Sequence, residues 1–203
     1  MDTVTISPKF QVVIPREIRE RLGLEPGQQV RALAYENRIE FIPVRPLKGM
    51  RLPARDRYRG APRPRSRVIA PAKRTTPNVV DSSAWLAYFA DEPGAAHFAG
   101  AIEAVDRLIV PAICLLEVFK VVLRQRGESD ALQAIALMQQ GTVVDLDATL
   151  AIAAASAGVA HKLPPADSIV YATAQAAGAV VWTQDDDFDG LRGVEYYPRA
   201  RTN

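Results

Sequence analysis

Four acidic residues stand at positions where a folded chain has little ordinary use for them. Asp81 closes the apolar run Asn78-Val79-Val80, and Glu117 interrupts the apolar segment from Pro111 to Leu123. Asp167 follows Pro164-Pro165 at the start of a helical stretch, and Asp185 follows Ala179-Val-Val-Trp-Thr183. A carboxylate buried alone costs on the order of several kcal/mol or takes up a proton. Four that converge make sense around a divalent cation, and all-oxygen donors suit Mg²⁺ or Mn²⁺. That chemistry is metal-assisted hydrolysis.

Each carboxylate also has a plainer use. Asp81, before Ser82 and Ser83, could cap the next helix. Asp167 could complement a helix dipole, and Asp185, Asp186, Asp187 and Asp189 could form a solvated turn. Glu117 is harder to dismiss, because Ile113, Cys114, Leu116 and Val121 surround it in sequence. Its plainer option would be a salt bridge to Lys120 or Arg124.

The elements that must position these groups alternate. Short strands are expected at 78–81, 108–110, 143–145, 179–183 and 194–196, with helices at about 83–89, 94–105, 111–126, 129–140, 148–160 and 166–177. This alternation predicts a parallel sheet flanked by helices. Sites in such sheets gather at the carboxyl ends of strands, where Asp81 and Asp185 fall.

The first 46 residues read differently. Val4-Thr-Ile6 and Gln11-Val-Val-Ile14 are expected as strands around Ser7-Pro8-Lys9. Pro15 is placed at the first helical position of a helix over Arg16–Leu22, with Gly23 ending it. A hairpin over Val30–Tyr35 and Ile39–Ile42 turns about Glu36-Asn37-Arg38. So few large apolar side chains in so short a stretch call for a partner, so dimerisation is expected.

The net charge of +2 conceals a partition. Residues 1–44 are neutral, residues 45–77 carry +10, and residues 78–203 carry −8. The 45–77 stretch, rich in Arg and Pro, cannot build a core and reads as an extended linker. It could bind nucleic-acid phosphate, lay an Arg into the acidic cluster, or serve only as a tether. The hydrophobic share of 48% is ordinary for a soluble protein. No apolar run is long enough for a membrane span and no secretory signal is read, so no membrane partner is expected. The lone Cys114 excludes an internal disulfide and fits a reducing cytoplasm. His97 and His161 lie outside the acidic motifs and are taken as structural.

Two family resemblances build on these residues. Val4-Thr-Ile-Ser-Pro-Lys-Phe-Gln-Val-Val-Ile-Pro-Arg-Glu-Ile-Arg-Glu-Arg-Leu-Gly-Leu-Glu-Pro-Gly-Gln28 resembles the AbrB/SpoVT family of antitoxin-type, VapB-like domains. The resemblance implies a small swapped-hairpin β-barrel, dimeric, that binds operator DNA through positions matching Lys9, Arg16 and Arg19. Gln11 stands where some relatives have Arg. Val79-Val-Asp-Ser-Ser-Ala-Trp-Leu86, Glu117-Val-Phe-Lys120, Leu163-Pro-Pro-Ala-Asp-Ser-Ile169 and Trp182-Thr-Gln-Asp-Asp-Asp-Phe188 resemble the PIN-domain ribonucleases, in particular VapC-type toxins.

That second resemblance implies an α/β PIN-like domain and Mg²⁺- or Mn²⁺-dependent cleavage of an RNA substrate, leaving 5′-phosphate and 3′-hydroxyl ends. Asp81, Glu117, Asp167 and Asp185 match the family's acidic positions. Asp187 is a further metal-binding candidate or a substitute for Asp185, and Ser83 and Thr183 match supporting polar positions. Arg107, Lys120, Arg124 and Arg126 are candidates to meet an anionic substrate. The expected organisation is a DNA-binding and dimerisation domain at 1–46, a linker at 47–77 and a nuclease domain at 78–200.

In the toxin–antitoxin family the two halves are usually separate chains, and here they are continuous. No methionine lies between Met50 and Met138. A natural fusion, a frameshift and an engineered join all fit that fact. The competing functional reading is a transcriptional autoregulator whose PIN domain is catalytically silent. A metal-dependent phosphatase fits less well, because Asp81-Ser82-Ser83 lacks a second Asp two residues on.

Overall fold

A computed structural model describes residues 4–44 and 76–199. The chain divides into two compact units, Met1–Val44 and Arg45–Asn203. The Arg/Pro-rich linker expected at 47–77 lies outside the described residues except for its last two.

In the first unit, helix α1 spans Arg16–Leu22 and ends at Gly23, whose φ of 61° is the left-handed value a side chain resists. Pro15 is the N-cap, with an extended ψ of 148°, one residue outside the helical position expected for it. Strands β1 (Val30–Tyr35) and β2 (Arg38–Pro43) pair antiparallel, with Tyr35 opposite Arg38. The turn is therefore the two residues Glu36-Asn37, not three, and Glu36 takes the positive φ of 50° that such short hairpin turns use.

The strands expected at 4–6 and 11–14 do not form among the described residues. A turn closes there through the Ser7 amide on the Gln11 carbonyl at 2.9 Å. The only ladder in this unit among the described residues is β1 with β2. Val4, Ile6, Phe10 and Val13 stand exposed.

The second unit is a five-stranded sheet in the order β5-β4-β3-β6-β7. Every pairing is parallel, among β3 (Asn78–Val80), β4 (Leu108–Pro111), β5 (Thr142–Val144), β6 (Val180–Thr183) and β7 (Val194–Tyr196). Central β3 is buried at every position, whereas edge strands β5 and β7 are half open. Covered central strands with apolar runs are what a doubly flanked parallel sheet requires.

Helices α2 (Ser82–Phe89), α3 (Ala95–Ile102), α4 (Ala112–Arg126), α5 (Glu128–Met138), α6 (Ala148–His161) and α7 (Pro165–Ala177) connect the strands. α2 is buried along most of its length. Trp85 stacks on Phe89 at 5.4 Å and meets Tyr88 edge-on at 6.4 Å. This aromatic block is anchored against β6, α3 and α4, so the first turn of α2 is held rigidly at the carboxyl edge of the sheet. The expected helix at 94–105 is shorter, and a 3₁₀ turn over Val105–Arg107 leads into β4. No helix of the described residues is long and apolar enough to cross a membrane.

Candidate metal centre

Asp81 is the residue after β3 and the N-cap of α2, so sheet and helix geometry together fix its backbone. It is 2% exposed. Its Oδ2 accepts from the Ser83 amide at 3.1 Å, from the Ser83 hydroxyl, and from the Thr183 hydroxyl at 3.0 Å. The capping use is therefore real, but it is not the whole account. Burial raises the Asp81 pKa despite bonds from the Ser83 and Thr183 hydroxyls and the Ser83 and Ser82 amides. Four donors do not offset the desolvation.

Thr183 and Ser83 have their hydroxyl protons on Asp81, and each then accepts a backbone amide. Asp185 N–H reaches Thr183 Oγ1 at 3.0 Å, and Gln184 N–H reaches Ser83 Oγ at 3.2 Å. One strand end and one helix start are thereby stitched together. The next turn orders itself: Asp185 Oδ1 accepts from the Asp187 amide at 3.1 Å.

Asp167 sits in the first turn of α7, after Pro165 at the helix start. Its pKa is raised to about 7, by desolvation first and then by the charges of Asp81, Asp185, Glu117 and Asp187. Asp167, Asp185 and Asp187 each place a carboxylate oxygen within 4.8 Å of the others. Glu117, in the second turn of α4, is half-buried. Its pKa is also raised, by desolvation first, with a Ser82 hydrogen bond opposing and Asp81 and Asp185 adding to it.

The charges of Asp81, Glu117, Asp185 and Asp187 all reach Asp167, and the tight oxygen triad is Asp167, Asp185 and Asp187. Asp187 belongs to that triad itself. The donor set is all carboxylate, and its crowding raises the pKa values of Glu117 and Asp167 further. That is the environment a hard divalent cation relieves, so these residues fit such an ion.

Three supporting residues carry no motif of their own in the sequence. Ser82, not Lys120 or Arg124, supplies the hydrogen bond to Glu117, and Lys120 exerts only a weaker through-space effect. Gln184, 6% exposed, donates from its side chain to the Ser83 carbonyl at 3.2 Å and to Glu92 Oε2 at 3.5 Å. Its one signal is its place as a polar residue between Thr183 and Asp185. Glu92 carries none that spacing could reveal.

Of the candidate substrate-facing cations, Arg107 donates to the Thr76 carbonyl at 3.3 Å and Arg126 lies 3.9 Å from Asp130. Lys120 and Arg124 are exposed on α4. His97 packs against Tyr197 at 4.6 Å and near Trp182, and burial lowers its pKa. His161 meets the edge of Tyr171. In the first unit Lys9, Arg16 and Arg19 are exposed, and Arg16 forms an ion pair with Glu20 at 2.7 Å.

The five-stranded parallel sheet, with acids at its carboxyl edge, is an α/β domain. Residues 79–194 match the family described as PIN domain, and residues 3–48 match that described as antidote-toxin recognition MazE, bacterial antitoxin. The chain belongs to the PIN-domain family, whose members are nucleases that generally use divalent metal ions. It joins that domain to an antitoxin-type domain in one polypeptide.

Comparison with curated protein sequences finds no match. A toxin–antitoxin complex from Klebsiella pneumoniae is similar in structure, at 20% identity and TM-score 0.52, over 60% of this chain and 98% of that one. So is Mycobacterium tuberculosis VapC20, described as a sarcin-ricin loop cleaving toxin, at 21% identity and TM-score 0.50, over 60% of this chain and 99% of that one. Both likenesses establish the fold.

Proposed function

We propose that the protein is a single-chain toxin–antitoxin type molecule. Its residues 78–200 form a divalent-metal-dependent endoribonuclease, and residues 1–46 form a DNA-binding, dimerising module. A linker at 47–77 joins them. The observation that carries the catalytic part is the state of the acids: Asp81 is buried with four donors and still raised, and Asp167 is raised to about 7 by burial and its acidic neighbours. Proteins seldom build such a cluster for stability alone, because unpaired like charges in a half-buried site are costly.

Asp167, Asp185 and Asp187 would hold the ion, with Asp81 and Glu117 closing the site. A Mg²⁺ or Mn²⁺ held there would offset carboxylate repulsion, make a water more acidic and stabilise charge developing on the phosphate. Ser83 and Thr183 hold the Asp81 carboxylate in one orientation, as supporting shells of metal sites do. Ser82 does the same for Glu117. Asp167 or Asp185 accepts the proton of the water that attacks the phosphodiester. In the first module, Lys9, Arg16 and Arg19 meet operator phosphates, which set register without reading bases. The lone buried thiol Cys114 suits a cytoplasmic setting.

The test is incubation of the full chain with single-stranded RNA and Mn²⁺, beside Asp81→Asn and Asp167→Asn. Cleavage lost in both variants is the expected result. RNA left intact by the unsubstituted chain, alongside tight salt-sensitive operator binding, would instead support the silent-domain regulator.

A further inference from the structure

Strand order fixes what lies beside the acids. Along the carboxyl edge of the sheet the sequence of strands is β4, β3, β6, β7, which spans three strand spacings, roughly 14 Å. Asp81 leaves β3 and Asp185 follows β6, so the acidic cluster occupies the middle of this edge. Helix α4 leaves β4 on one side, and β7 ends on the other.

On the β4 side, Glu117, Lys120 and Arg124 recur at the three- and seven-residue spacing of one helix face. Lys120 is therefore about 4.5 Å, and Arg124 about 10.5 Å, along the α4 axis from the Glu117 level. Both are exposed, and the Lys120 charge reaches the Glu117 carboxyl. Residues 78–203 carry −8 overall, so these two stand out as cations leading away from an acidic centre.

On the β7 side, Tyr196 is opposite Thr183 in register, and paired residues of parallel strands project to the same face. The Tyr197 amide donates to the Thr183 carbonyl at 2.9 Å, which holds the two strand ends together. Tyr196 is half-buried beside the Asp185–Asp189 turn. The charges of Asp186, Asp189 and Asp185 reach its phenol. A half-open aromatic ring beside the residue that orients Asp81 and Asp185 has no part in holding an ion.

We infer that these flanks form the two ends of a single-strand track: Lys120, with Arg124 beyond it, takes backbone phosphate on one side of the acids, and Tyr196 stacks a base on the other. The ligand is single-stranded nucleic acid crossing the carboxyl edge from α4 to β7. Cationic contacts and aromatic platforms are how proteins hold such strands without reading sequence. The inference rests on the nuclease reading and adds the residues that place the strand.

The experiment measures binding of a short mixed-sequence single-stranded RNA to the full chain carrying Asp81→Asn, so that binding is seen without cleavage. Lys120→Ala in that background should lower the slope of log affinity against log salt by about 1. Tyr196→Ala should leave the slope unchanged and weaken binding by about 5- to 150-fold, the usual worth of one stacked base. Tyr196→Phe should bind as the parent does, and an oligomer lacking bases should not distinguish Tyr196→Ala from the parent.

An unchanged salt slope for Lys120→Ala, or affinity within twofold of the parent for Tyr196→Ala, overturns the track. Failure of the unsubstituted chain to cleave RNA would sink the hydrolytic reading, while these binding comparisons would still judge the track. Variants that bind unaltered in a chain that does cleave would sink the track alone.

Discussion

Thr183 donates its hydroxyl to Asp81 Oδ2 across 3.0 Å, although the two are 102 positions apart in the chain. The contact exists because β3 and β6 are neighbours with Val80 opposite Trp182, so the residues that follow meet at one edge. The same Thr183 oxygen accepts the Asp185 amide at 3.0 Å. One small side chain thus ties the carboxylate of one motif to the backbone of another, and a change at Thr183 disturbs two acids at once.

Thr183→Val keeps the shape and removes both bonds. The expected result is a loss of roughly 10–100-fold in metal affinity or cleavage rate, the usual cost of removing such a partner. Asp81→Asn should lose more than that while circular dichroism shows the fold retained. Activity of Thr183→Val equal to that of the unsubstituted chain would remove Thr183 from the site.

The Asp167 pKa, about 7 against an ordinary 3.8, makes stability depend on pH in a definite direction. Between these values the folded, metal-free protein binds more protons than the unfolded chain, so stability falls as pH rises. The contribution is greatest below about pH 4 and is gone once pH exceeds about 7. Urea denaturation in chelator, compared with Asp167→Asn, should therefore show the variant gaining relative stability from about pH 4.5 to about pH 7.5. A difference that stays constant over that range would contradict the raised pKa.

Residues 45–77, which include the linker, carry +10 against −8 in residues 78–203. If the linker brings an Arg into the acidic cluster, deleting residues 47–77 should raise Mn²⁺-dependent RNA cleavage. Cleavage no faster than in the intact chain would leave the segment as a tether.

Replacing Lys9, Arg16 and Arg19 together by Ala should weaken operator binding and flatten its salt dependence, by up to about one unit of slope for each phosphate no longer neutralised. RNA cleavage should not change. Arg16 is already engaged by Glu20, so Arg16→Ala alone should have the smallest effect of the three. Filter binding at several salt concentrations reads both quantities.

The nuclease domain is legible in the sequence because its signals are local. Apolar runs such as Asn78-Val79-Val80 mark strands, and Pro164-Pro165 and Gly178 bracket α7. Residues 4–14 read as strands by alternation, which reports a willingness to pair and not that a pairing is made. At the site, the acids are legible as polar residues in apolar surroundings. Ser82, Gln184 and Glu92 are not, since their roles come from tertiary contacts: Gln184 reaches Glu92 over 92 positions and Ser83 over 101. The partner of Glu117 is hidden for the same reason, because helix spacing favours Lys120 and Arg124 whereas tertiary packing supplies Ser82.

The hydrolytic chemistry depends on the edge acids holding a hard dication. Its most direct measurement is Mn²⁺ titration of the full chain at about pH 7.5, above the raised Asp167 pKa, followed by calorimetry and by thermal stability. The prediction is a saturable site that stabilises the fold by about 2.7 kcal/mol at a roughly hundredfold excess over its dissociation constant. It should be lost when Asp167 and Asp185 are both replaced by Asn. No saturable heat and no thermal shift, or the same response from the double variant, would contradict it.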